Sequence, residues 1–105
     1  MLDPPTDRRY QIDAGLEYKL IRGGIVLRTG RGTTVYISGS EIVFKPEDPI
    51  PARLHIEASV SWPAPVDPAI TLKLHVHGET VETESGYAAI KIVRSTFRIA
   101  RASLP

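Results

Sequence analysis

Three sets of side chains in this sequence have the types and spacing that chemistry requires. His75 and His77 stand two apart, and His55 lies on another polar strand face, as strands that bind metals often arrange imidazoles. Alternation with Lys73, Thr71, Glu57 and Ser59 reads instead as a solvated strand face, so no metal site is assigned. Ser38, Ser40, Ser59 and Ser61 show no nucleophile-elbow spacing and no paired acid and base, so no catalytic residue and no enzyme are expected. The remaining set is Arg8-Arg9, followed by Tyr36-Ile37-Ser38-Gly39-Ser40-Glu41. Net charge is only +1, so an anion site has to come from local placement of arginines such as these.

The elements that must position these residues are strands, because the apolar period is two almost throughout. Ile12, Ala14, Leu16, Tyr18 and Leu20 share one face, and Gly23-Gly24 then signals a hairpin. A second strand runs from Ile25 to Ile37, with Gly30 and Gly32 expected to mark a bulge or bend. Ser38-Gly39-Ser40-Glu41 separates it from Ile42-Val43-Phe44. Leu54, Ile56, Ala58, Val60 and Trp62 alternate cleanly, and Pro63, Pro65 and Pro68 end that strand. Ile70, Leu72, Leu74 and Val76 form another, and Ala88, Ile90 and Ile92 belong to the last. Phe97, Ala100, Arg101 and Leu104 change to helical spacing, which predicts a short C-terminal helix over 94–104. No internal repeat stands out.

An all-β fold follows, with six or seven antiparallel strands closing into a small barrel, since closure removes exposed sheet edges. The organisation expected is a flexible arm over 1–10 and one barrel domain over 11–105. At 105 residues, 42% hydrophobic and 24% charged, the chain has the composition of an ordinary folded domain. It holds no cysteine and no apolar run of membrane-spanning length, so a cytoplasmic setting without membrane insertion is expected. Tyr10, Tyr18, Tyr36, Trp62 and Tyr87 offer rings, but Tyr18 and Trp62 fall on core faces and the arginines are dispersed. A single-stranded nucleic-acid partner is therefore not expected.

The Arg8-Arg9 arm, its spacing from Tyr36–Phe44, the strand series, a late Gly-Tyr-Ala strand and the terminal helix together resemble the PilZ domain family. The resemblance covers roughly residues 8–101. It implies a six-stranded barrel that binds the bacterial second messenger cyclic di-GMP and relays it to a protein partner or attached domain, with no cofactor. Arg9 matches the first motif arginine and Arg8 the arginine that often precedes it. Ser38 matches the motif serine, Tyr36 stands at the Asp/Asn position, and Gly39 is carried as a neighbouring contact. Asp13 and Glu41 replace the second arginine and the glycine. In the family the arginines hold phosphate or guanine, the Asp/Asn meets the guanine Watson–Crick edge, and the serine adds a hydroxyl contact. Loss of one charge-assisted hydrogen bond costs on the order of 1.5–3 kcal/mol, so the altered motif implies weakened binding. The alternative is a protein-interaction module that needs no ligand.

Overall fold

The structure is a computed structural model, and it describes residues 8–63, 70–84 and 86–101. Six strands form: β1 (Gly15–Arg22), β2 (Ile25–Ile37), β3 (Glu41–Pro46), β4 (His55–Ser61), β5 (Ile70–Val81) and β6 (Ala88–Arg101), with burial alternating most regularly in β1 and β4. They close in the order β1-β2-β3-β6-β5-β4, with every pair antiparallel. The inward set predicted from the alternation forms the core. Leu16, Leu20, Ile42, Phe44, Ile56, Val60, Val76 and Ile90 are all buried inside the ring. Burying each such side chain stabilises the fold by about 1.5–3 kcal/mol.

The β1–β2 connection is the two-residue hairpin that Gly-Gly predicts. Gly23 and Gly24 take φ values of 60° and 78°, left-handed at both central positions, between the paired residues Arg22 and Ile25. Gly30 and Gly32 do not mark the bulges. Those fall instead beside Leu20/Ile21 in β1–β2 and beside Thr34/Tyr36 in β2–β3. The reason for Gly30 is steric: it faces Tyr18, and a Cβ there would run into the phenol ring.

The barrel has a pseudo-two-fold axis. β1-β2-β3 and β4-β5-β6 are equivalent three-stranded halves, and the pairing registers at both seams map onto themselves when the halves are exchanged. At β1–β4, Leu16 faces Val60 and Leu20 faces Ile56, with Tyr18 opposite Ala58 at the centre. At β3–β6, Ile42 faces Ile90 and Phe44 faces Ala88, with Val43 opposite Ala89 at the centre. The sequence carries the trace. Gly32-Thr33-Thr34-Val35 recurs as Gly78-Glu79-Thr80-Val81, and Phe44-Lys45 recurs as Ile90-Lys91. The likeness of the halves lies in their strand pairing, and these few positions are its trace in the sequence. The shared positions are few because a register needs only a glycine for close approach and a buried threonine, while the other sites need only the right polarity.

The predicted C-terminal helix is also corrected. Residues 94–101 continue β6 and pair with β5 from His77↔Arg94 to Ile70↔Arg101, while 102–104 lie outside the described residues. A ladder along β5 satisfies every second backbone group, which outweighs a weak helical period in Arg, Ser, Thr and Ile. Phe97 meets Trp62 edge-on, with ring centroids 5.1 Å apart and planes at 90°. No described helix is long and apolar enough to cross a membrane.

Candidate functional site

The arm and the β2–β3 turn meet at one end of the barrel. Tyr10 donates its N–H to the Ile37 carbonyl (2.8 Å) and accepts from the Ile37 N–H (2.9 Å), which docks the end of the arm against β2. That places the Arg9 guanidinium carbon 4.7 Å from the centre of the Tyr36 ring. The Tyr36 hydroxyl donates to Glu41 Oε1 at 2.6 Å, across the turn between β2 and β3. This hydrogen bond, with lesser contributions from burial and the Glu41 charge, raises the Tyr36 phenol above its ordinary pKa, while Arg9 pulls the other way.

Ser38 holds the turn itself. Its buried hydroxyl accepts the Glu41 N–H at 3.0 Å and the Ser40 N–H at 3.3 Å, and its own N–H donates to the Glu41 carbonyl at 2.8 Å. This is a serine closing a turn by capturing orphan backbone donors. The Ile92 N–H then donates to the Ser40 carbonyl (2.9 Å) and ties the turn to β6. Gly39 is exposed at the tip, and Arg8 is exposed on the arm.

Arg9, Ser38, Ser40, Glu41, Val81 and Lys91 line a cleft of about 450 Å³. Arg9, Tyr36, Ser38 and Gly39, selected from the sequence, therefore gather at one place, with Arg8 adjacent in the chain. Sequence reasoning missed Lys91 and the function of Glu41 as the Tyr36 partner. The hairpin spacing of Tyr36 and Glu41 around a four-residue step was the available signal for the second. Nothing local pointed to Lys91, which arrives through the β3–β6 register, opposite Glu41.

The pseudo-two-fold axis supplies an internal comparison. A second cleft, of about 480 Å³, includes Glu84, Gly86 and Tyr87, which are the equivalents of Ser38, Ser40 and Glu41. Its lining also carries Glu47 and Glu82 and no cation, whereas the first cleft has Arg9 and Lys91 against Glu41. The second cleft is thus the more acidic of the two, although Lys45 Nζ stands 5.5 Å from the centre of its Tyr87 ring.

No protein-family model matches the chain, and no curated protein or solved structure matches it either. Function rests on the geometry.

A third concavity, of about 610 Å³, lies on the barrel wall across the axis, where Tyr18 and Ala58 meet. Glu17, Lys19 and Arg31 from one half and Glu57, His75 and His77 from the other are among the residues lining it. Burial, then the charges of Arg98, Lys73 and His77, lowers the His75 pKa from its usual 6.5. His75 faces Ser59 and Thr96, whereas His77 faces Glu57 and Arg94.

Proposed function

We propose that the protein is a non-enzymatic PilZ-like module that binds a guanine nucleotide of the cyclic di-GMP class in the Arg9–Lys91 cleft. The observation that carries this reading is the Arg9–Tyr36–Glu41 chain, a guanidinium 4.7 Å from a ring whose hydroxyl is 2.6 Å from a carboxylate. Arg9 and Lys91 supply charge for phosphate. The Glu41 carboxylate has acceptor capacity beyond the Tyr36 hydroxyl and suits the N–H edge of guanine. A cleft of about 450 Å³ falls within the usual size of ligand sites, roughly 300–1,000 Å³.

Ser38 is committed to its turn, so in this reading it shapes the site, and the arm supplies the affinity. Tyr36 and Glu41 replace the two motif positions as a bonded pair, and each suits the other better than either suits the family pattern. Calorimetry with cyclic di-GMP tests the reading. Micromolar binding that Arg9→Ala and Lys91→Ala each weaken tenfold or more supports it, and no heat at millimolar ligand removes it. The combined variant Asp13→Arg, Tyr36→Asp, Glu41→Gly tests the alignment, since restored tight binding is expected only if these positions are the motif.

A second reading has its own observation. β3 pairs with β6 only from Ala88 to Lys91, so among the described residues no strand covers β6 beyond Ile92 on the side away from β5. Val93, Phe97 and Ile99 are exposed there at 78%, 50% and 66%. Arg94 and Arg98 occupy the opposite face of this strand. That edge suits an extended peptide alternating apolar and acidic residues, added as a strand. Arginines on both edges make pairing of two copies through β6 unfavourable. Binding of such a peptide, lost in Arg98→Glu and indifferent to nucleotide, would favour this reading; dimerisation through β6 would refute it.

A further inference from the structure

Three outward side chains of β4 and β5 bring metal-ligating atoms together on the barrel wall. His55, Glu57 and His77 each offer one such atom, and these atoms lie within 4.8 Å of one another. His77 Nδ1 is 3.3 Å from Glu57 Oε1. The strand register is the cause. Glu57 lies directly opposite His77, and His55, two positions back on β4, lies diagonal to it, with the imidazole centroids 6.0 Å apart.

Zinc bonds to imidazole nitrogen and carboxylate oxygen are about 2.0–2.2 Å, so neighbouring ligands of a tetrahedral ion stand roughly 3.3–3.6 Å apart. The Glu57–His77 edge already has that spacing. His55 is exposed, so a side-chain rotation that moves its ring nitrogen by about 1 Å would complete that spacing.

We propose that His55, Glu57 and His77 form a binding site for a divalent transition-metal ion of the zinc class. Two imidazoles and one carboxylate select zinc, cobalt, nickel or copper over magnesium and calcium, which prefer all-oxygen ligands. Glu57 and His77 also line the wall groove, so a fourth coordination position opens toward it. The surroundings set the strength. Glu79 lies across from His55 and favours a cation, while Lys19 across from Glu57 and Arg94 across from His77 oppose one. The affinity expected is therefore micromolar, below that of closed structural zinc sites. The other half of the barrel has Gly15, Glu17 and Arg31 in the equivalent places, so one site per chain is expected.

The full chain is titrated with Zn²⁺ and Co²⁺, followed by calorimetry, the visible absorption of bound Co²⁺, and the metal-induced rise in melting temperature. One ion per chain with micromolar affinity is expected. His55→Ala, His77→Ala and Glu57→Gln should each weaken binding tenfold or more, and His75→Ala should leave it unchanged. Circular dichroism checks that each variant folds, and His55→Gln and His77→Gln replace any that does not. Absence of saturable binding below about 1 mM metal overturns the proposal. So does binding that survives both His55→Ala and His77→Ala, or that His75→Ala weakens equally, which would mean adventitious histidine binding.

Discussion

Thr34 and Thr80 occupy matching places in the two halves of the barrel and bond alike, except that the carbonyl that accepts from the hydroxyl lies two residues before Ala14 and three before Leu54. The Ala14 N–H donates to Thr34 Oγ1 at 2.9 Å, that hydroxyl donates to the Ile12 carbonyl, and the Thr34 N–H donates to the Ala14 carbonyl at 2.9 Å. The Leu54 N–H donates to Thr80 Oγ1 at 3.0 Å, that hydroxyl donates to the Pro51 carbonyl at 2.8 Å, and the Thr80 N–H donates to the Leu54 carbonyl at 2.9 Å. Each threonine thus satisfies the backbone just before the first strand of its half, where the chain enters the barrel and no strand partner is available.

Replacing either threonine by valine keeps the volume and strands a buried N–H. Thr34→Val and Thr80→Val should each destabilise the fold by about 1–3 kcal/mol, with similar losses for the two. Urea unfolding measures both. A loss at one site and none at the other would break the equivalence.

Gly78 is fixed by close approach. A Cβ there would strike the Lys91 carbonyl and come within 2.8 Å of Ile90 Cγ2, so Gly78→Ala must push β6 away from β5. A loss of about 1–3 kcal/mol is expected, as for overpacking elsewhere. Gly15→Ala, where a Cβ meets nothing within 4 Å, should be neutral or gain up to about 1 kcal/mol. Thermal unfolding of the two variants distinguishes these outcomes.

The Tyr36 phenol is held protonated by its bond to Glu41, so its pKa in the fold lies above the usual 10.0. A group whose pKa is raised by folding adds stability while it is protonated in both states. That contribution is full below pH 10 and is lost as pH rises through the folded value. Ultraviolet titration should show the Tyr36 phenol ionising above its ordinary value, and Glu41→Gln should move it down. An unchanged titration curve in Glu41→Gln would contradict the hydrogen bond.

His75 runs in the opposite sense. Its pKa is lowered from 6.5, first by burial and then by Arg98, Lys73 and His77, so the unfolded chain takes up the proton at higher pH than the fold does. Stability attributable to neutral His75 is full above pH 6.5 and falls as pH drops through that value toward the lower folded pKa. Melting temperature measured between pH 7.5 and pH 5 should fall less in His75→Asn than in the parent chain. An identical slope would remove His75 as a cause.

Period-two alternation was enough to identify β1, β4 and β5 and much of the inward set, because burial on one face of a pleated strand leaves a local record in side-chain polarity. Gly23-Gly24 likewise marked its hairpin, since few other residues take positive φ twice in succession. The arm and turn residues Arg9, Tyr36 and Ser38 could be nominated from type and spacing, but not their arrangement. That Arg9 covers Tyr36, and that Tyr36 holds Glu41, depends on a bridge between Tyr10 and Ile37 that no local pattern encodes. Residues 94–101 became strand because β5 offered a ladder, a tertiary gain that the short-range period of Phe97 and Ala100 cannot report. The histidines show the same division. Alternation placed His55, His75 and His77 on outer faces, and only the β4–β5 register joined two of them to Glu57 while leaving His75 apart. Side-chain direction is local to a strand; which residue stands opposite is decided by pairing between distant segments, and in this barrel the chemistry depends on that pairing.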